Sequence, residues 1–350
     1  MKKIKHPGIK AVSTSNLITN VKAALNATLV TKLDMQILTV DEKLGNGKVE
    51  HVDFKNGISF TQYDILVYED LSFQLEHSDK DYIYLFYGLE GECYHNFKTK
   101  EKHTLIEEFR TTVINGNKNQ NNIITLRKNK TFKYSVISIE KNKFFKKFED
   151  YYDIPKSKMI NLYNAFKNQE LRVHQCSHNL KIADQLRFLK KVSTDFKVTH
   201  LMYYESHFKM ILSIHLEHFY NETYEKRIIS ALSKTELKKI RTITEFIIDH
   251  PELHHTIKSL CAKAILSPVK LQEGFKCTHG TTVSNYIKNT RVERARDLLI
   301  YSDYNVSEVA YMVGFTSRSY FCKIFKEKFK CNATAYRDKY KDKTVSLSKI

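Results

Sequence analysis

An α+β chain is predicted by this 350-residue sequence: a β-rich N-terminal sandwich or barrel, a helical middle, and an all-α C-terminal third. Three observations predict that division. Short alternating runs rich in aromatic and β-branched residues fill roughly the first 150 positions, the pattern turns helical from about Lys141, and two C-terminal stretches each read as helix, tight turn, helix. The expected organisation is a β-rich domain over residues 1–150, a helical linker or pairing region over 151–232, an all-α domain over 233–340, and a basic tail over 341–350.

A basic arm of about 25 residues is expected to precede the β region. Strands are then predicted at Lys48–Asp53, Gly57–Leu66, Leu71–Leu75, Tyr82–Leu89, Cys93–Phe97, Thr111–Ile114, Ile123–Leu126 and Phe132–Ile139, separated by polar turn residues. Many short strands of this kind suit a sandwich or a small barrel. Beyond them, Ile182, Leu186 and Leu189 and the apolar run His200–Tyr220 mark helices. Their stripes fit two arrangements equally: pairing of two subunits, or a cover over the open end of a barrel.

The C-terminal third can be parsed almost residue by residue. Asn305 with Glu308 three positions later is a helix N-cap with its reciprocal acid, and Val306, Val309, Ala310 and Val313 recur on one helical face. Gly314 ends that helix where a tight turn needs positive φ, and the small Ala310 lets a second helix pack close. Thr316 or Ser317 caps the next helix. In it, Tyr320, Phe321, Ile324, Phe325 and Phe329 are expected to face inward, while Ser317, Arg318, Cys322, Lys323 and Lys326 face outward. A short basic outer face of this kind fits the major groove of DNA.

A second copy of the pattern lies upstream. Thr256 can cap a helix carrying Ile257, Leu260, Cys261 and Ala264, and Ser267-Pro268 can start another with Leu271 and Phe275 as its core pair. Aligning Cys261 with Ala310 sets Ile265 where Gly314 stands. One long helix is predicted to join the copies, burying Val283, Ile287, Val292, Ala295 and Leu299 and spreading Arg291, Arg294 and Arg296 around the rest.

Two such units, with RVERARDLL and VSEVAYMVGFTSRSYFCKIFKEKF in order, resemble the AraC/XylS family of bacterial transcription regulators over about Leu237 to Tyr340. TIKSL, KLQEGFK and GTTVSNYI are similar to the branch that includes siderophore-uptake regulators. The resemblance implies a cupin-like sensor domain in the N-terminal part, control of transcription, more often activation, and double-stranded DNA as partner. It further implies RNA polymerase, an unidentified small-molecule effector and a second copy of the chain as candidate partners. Mapped onto this sequence, DNA contacts fall to Ser267, Val269, Lys270, Gln272 and Glu273 in the first unit, Arg291 and Arg294 on the joining helix, and Thr316, Ser317, Arg318, Ser319, Lys323 and Lys326 in the second. Three positions depart from the family: Ile265 replaces the first turn glycine, Lys330 the glycine after the recognition helix, and Ala333 the proline that follows. A β-branched residue at positive φ costs on the order of 1–2 kcal/mol, so the first turn is expected to be strained or reshaped.

Charge agrees without deciding. Residues 226–350 hold 24 Lys and Arg against 12 Asp and Glu, while the preceding 225 supply only the remaining +6 of the net +18. Such a surface attracts phosphate backbones whatever their sequence. With no apolar run near the roughly 18 residues of a membrane span and no signal-peptide core after MKKIKHPGIK, a cytoplasmic protein without membrane contact is expected. Cys93, Cys176, Cys261, Cys277, Cys322 and Cys331 form no CxxC pair and read as reduced thiols.

No enzyme, cofactor or metal is expected. His95 and His103 stand apart; in His174, Cys176 and His178 the two histidines are spaced to share a helical face, as are His215 and His218, and each reads first as a packed or solvated pair. His250, His254 and His255 read as a helix boundary. Phosphate loop, nucleophile elbow and Cys/His nucleophile patterns are missing, as is the Pro-Cys-His of a methyl-accepting repair protein. An architectural DNA-binding protein and a cupin-type metal enzyme fused to a DNA-binding domain remain as alternatives.

Overall fold

A computed structural model of the chain describes residues 17–32, 35–54, 57–75, 81–97, 103–115, 122–149, 156–167, 172–191, 197–226 and 232–347. Its elements fall into two compact units, Met1–Ala231 and Leu232–Ile350.

In the first unit the order is α1 (Leu17–Ala24), β1 (Thr28–Lys32), β2 (Met35–Thr39), β3 (Gly45–Asp53), β4 (Ile58–Val67), β5 (Leu71–Gln74), β6 (Tyr82–Glu90), β7 (Cys93–Phe97), β8 (Thr104–Ile106), β9 (Arg110–Asn115), β10 (Asn122–Leu126), β11 (Lys130–Glu140), α2 (Lys141–Glu149), α3 (Lys156–Lys167), β12 (Val173–His178), α4 (Lys181–Lys191) and α5 (Lys197–Thr223). Eight strands form one sheet in the order β1-β2-β3-β4-β11-β6-β9-β12, and β5-β10-β7-β8 form a second. Tyr63, Ile65 and Tyr134 from the larger sheet and Phe73, Ile124 and Leu126 from the smaller share one core, so the sheets make a sandwich. Among the described residues the larger sheet ends at β1 and β12 without closing, which favours the sandwich over the barrel. Its other face carries α5, where Phe208 stacks on Phe60 with ring centroids 4.0 Å apart and Ile211, Leu212 and Phe219 are buried.

Three expectations need correction here. The basic arm lies outside the described residues only as far as position 16, because Leu17–Ala24 is a helix whose Ile18, Val21 and Ala24 are buried in the sandwich core. Strands β1, β2, β8 and β12 have no counterpart among the predicted strands. His174, Cys176 and His178 stand on β12 rather than on a helix, paired antiparallel with β9. Nonlocal pairing makes that segment a strand: its partner lies about sixty residues earlier in the chain.

The second unit is all-α: α6 (Lys234–Asp249), α7 (Ile257–Ala264), α8 (Pro268–His279), α9 (Val283–Tyr301), α10 (Val306–Met312), α11 (Arg318–Phe329) and α12 (Ala333–Leu347). Leu237, Ile240, Ile243 and Ile247 form the buried stripe of α6. Gly274 on α8 sits so near it that an added Cβ would lie 2.5 Å from the Ile240 side chain. Among the described residues, no helix is long and apolar enough to cross a membrane.

Candidate nucleic-acid interface

Helices α10 and α11 make the downstream helix-turn-helix. The Asn305 side chain accepts hydrogen bonds from the Ser307 and Glu308 N–H groups at 2.9 and 3.0 Å, and the Asn305 N–H donates to Glu308 Oε2 at 2.7 Å, closing the expected capping box. Val306, Val309 and Ala310 are buried as their spacing requires. Gly314 turns the chain at φ +90°, and an added Cβ would lie 2.7 Å from the Glu252 carbonyl oxygen, so both conformation and space demand glycine. Ser317, not Thr316, is the N-cap of α11, accepting from the Tyr320 N–H at 3.3 Å.

On α11, Phe321, Ile324 and Phe325 face the core with Val292, Ala295 and Leu299 of α9. Two assignments made from periodicity change. Tyr320 is half exposed, its ring 6.1 Å from that of Phe315, because the first turn of α11 overhangs the edge of the core. Cys322 is partly buried against the same core rather than outward. The exposed surface of α11 and its cap therefore consists of Thr316, Ser317, Arg318, Ser319, Tyr320, Lys323 and Lys326, with Glu327 and Lys328 at its C-terminal end. Arg318, Lys323 and Lys326 have no acidic partner among the described residues, whereas neighbouring Lys328 is held by Glu293 at 2.8 Å. An ammonium or guanidinium without an internal counterion is the kind that an external anion can pair with.

Helices α7 and α8 repeat the arrangement upstream. Thr256 caps α7 in a box with Ser259, Ser267 caps α8 with Pro268 at its first position, and Leu271 and Phe275 are fully buried. The turn is Ile265 in the left-handed region at φ 51°, ψ 56°, with its side chain 80% exposed and its carbonyl accepting from Lys239 Nζ at 3.0 Å. The strain expected at this position is therefore present. Ser267, Val269 and Lys270 are exposed, Gln272 and Glu273 partly so. Two of these are already engaged: Lys270 pairs with Glu236, and Gln272 Oε1 accepts from the Val283 N–H at 3.3 Å, helping to cap α9.

Helix α9 joins the halves, with Val283, Ile287, Val292, Ala295 and Leu299 buried along one side as predicted. Its two candidate arginines differ. Arg294 is exposed with no acidic partner among the described residues. Arg291 is half-buried: its Nε and Nη2 donate to the Pro251 and Leu253 carbonyls, both at 2.8 Å, and its guanidinium lies 5.9 Å from the Phe315 ring centroid and beside Gly314. Arg291 thus fastens the loop before α7 to the turn between α10 and α11.

The helix-turn-helix domain family matches residues 260–339. Regulatory protein PocR of Salmonella typhimurium is 28% identical over 99 residues, covering 28% of this chain and 33% of that protein. The HTH-type transcriptional regulator GadX of Escherichia coli is 21% identical over 184 residues, covering 53% and 64%. The chain thus spans from a third to just under two thirds of these curated relatives. Among solved structures, the DNA-binding domain of AdpA in complex with a target DNA aligns at 26% identity over 30% of this chain and 95% of that one, with a TM-score of 0.29.

Proposed function

We propose, from the match of residues 260–339 to the helix-turn-helix domain family, that the protein is an AraC-type, sequence-specific regulator of transcription acting on double-stranded DNA. The observation that carries the reading is the outer face of α11, a capped helix whose first turn presents Arg318 with Ser317 and Ser319 while Lys323 and Lys326 follow without an acidic partner among the described residues. Set in a major groove, Arg318 donates two parallel hydrogen bonds to guanine O6 and N7, and the hydroxyls of Thr316, Ser317 and Ser319 bond phosphates or base edges. Lys323, Lys326 and, from α9, Arg294 neutralise phosphates. Helix α8 enters the adjacent groove. There Val269, 74% exposed, meets a thymine methyl, Ser267 and Lys270 approach the backbone, and Glu273 and the amide of Gln272 face the bases. Arg291 serves by holding the two units in register rather than by touching DNA.

The sandwich unit is the sensor in this reading. A groove of about 840 Å³ on its larger sheet, lined by Lys48, Glu50, Asp64, Lys133, Leu189 and Tyr204, is large enough for a small-molecule effector. Activation through RNA polymerase and pairing of two copies complete the proposal.

Selection of duplexes from a randomised pool by the full chain, followed by footprinting, tests it. Enrichment of one motif protected across two successive major grooves, roughly 10 base pairs apart, is expected. A pool that does not enrich contradicts the proposal. For the sensor, a fragment from Leu232 onward should bind the selected site but lose any response to cell extract; an unchanged response would remove the sensing role.

A further inference from the structure

Strand β12 and helix α5 bring together donor groups that the DNA-binding reading does not use. His174 and Cys176, two positions apart on β12, project toward the last turns of α5, where Glu222 lies one helical turn beyond His218. One ligand atom from each of His174, Cys176 and Glu222 lies within 4.8 Å of the other two. We propose that these three side chains form a binding site for a zinc ion.

The geometry needs little adjustment. Three atoms no more than 4.8 Å apart always leave a point within roughly 2.8 Å of all three, and zinc bonds to nitrogen, oxygen and sulfur run about 2.0–2.3 Å, so each ligand closes by on the order of half an ångström. Imidazole, thiolate and carboxylate are the donors this ion accepts, and three protein ligands leave a fourth position for water or an incoming group.

The surroundings are arranged as a ligand shell is. His174 Nε2 is buried without a hydrogen-bond partner among the described residues, which costs free energy in the absence of something to bind. Its ring stands edge-on to Phe219 with centroids 5.2 Å apart, fixing its plane. Glu222 is oriented by the Ser177 N–H at 2.8 and 2.9 Å, by the Ser177 hydroxyl, and by His218 Nε2 at 3.0 Å. His218 is held in turn by Asn179 and Thr111. Oε2 accepts only from the Ser177 N–H among these bonds and keeps a lone pair for a metal.

The charges also balance. Zinc, one thiolate, one carboxylate and a neutral imidazole sum to zero, which a half-buried site tolerates. The Cys176 thiol, pushed far up by burial, releases its proton to solvent as the sulfur–metal bond forms. Arg110, whose Nε donates to the Cys176 carbonyl, is the nearby cation, and Glu107 at 3.3 Å offsets it. The site stands independently of whether the second unit reads DNA.

Cobalt(II) titration of the full, reduced, metal-free chain tests the assignment, because cobalt occupies zinc sites and reports thiolate ligation by a charge-transfer band in the near ultraviolet. The expected result is one cobalt per chain with that band and the strong visible absorption of four-coordination, displaced by one equivalent of zinc. Cys176→Ser should abolish the band, and Cys331→Ser, in the other unit, should keep it. His174→Ala and Glu222→Gln should each weaken binding by more than the roughly 10–100-fold that an orienting neighbour is worth. If Cys176→Ser does not fold, these two variants decide. Failure to develop the band at one equivalent, its persistence in Cys176→Ser, or unweakened binding in both ligand variants would overturn the site.

Discussion

Replacing Ile265 with glycine should stabilise the second unit, an outcome opposite to the usual effect of Ile→Gly. Ile265 holds φ 51° and ψ 56°, a conformation that costs a side-chain-bearing residue roughly 1–2 kcal/mol. Because its side chain is 80% exposed, truncation forfeits little apolar burial. Glycine adds unfolded-state freedom worth about 0.5–1 kcal/mol against folding. The bond from Lys239 Nζ ends on the Ile265 backbone carbonyl and survives the change. The balance favours the variant by about 0.5–1 kcal/mol. Urea denaturation of the fragment from Leu232 onward, comparing midpoints at constant slope, measures it. A midpoint that stays put or falls would refute the assignment of strain to this turn. Lys330→Gly, at φ 59°, should shift it in the same direction.

Other consequences can be tested alongside. Arg291→Ala removes both donors from the Pro251 and Leu253 carbonyls and should cost the second unit about 2–3 kcal/mol in the same denaturation assay; an unchanged midpoint with weakened DNA binding would return Arg291 to the DNA face. Lys323→Ala with Lys326→Ala should flatten the dependence of log affinity on log salt by about 2, roughly one for each phosphate no longer neutralised, with base preference intact. Burial holds His51 and His95 down to about 4 and His215 down to about 3, against 6.5 for a free imidazole. The folded state thus prefers them neutral. Stability of the first unit should be full above about pH 6.5 and fall as pH drops below it, by about 1.4 kcal/mol per pH unit for each of the three. A melting temperature that stays flat from neutrality to about pH 5 would contradict this.

The second unit is legible in the sequence because its information is local. A cap and its acid lie three residues apart, a turn glycine sits between two amphipathic stripes, and Asn305, Gly314, Thr256 and Ser267 each declare an element without reference to distant chain. The first unit is legible only where alternation is strong. Strand β12 takes its character from β9, and the polar stretch His174–His178 carries no period-2 apolar signal of its own, so it reads equally as a helix face. Its meeting with Glu222 is invisible for the same reason, since the two lie on elements joined only in the fold. In the candidate interface, residue types on the outer face of α11 follow from helical period, but the engagement of Arg291, Lys270 and Gln272 within the domain does not. Those three depend on partners 11 to 40 residues away that spacing rules do not reach. Tyr320 departs from its expected place because a helical wheel does not show where a core ends.

Whether α11 reads bases is settled by the affinity of the full chain for its selected duplex and for a scrambled duplex at one salt concentration, with and without Arg318→Ala. A preference of at least roughly 10³-fold for the selected duplex is expected. Arg318→Ala should lose roughly 1–3 kcal/mol on that duplex and little on the scrambled one. Equal affinity of the unaltered chain for both duplexes, or equal losses on both in the variant, would contradict sequence-specific reading by this helix.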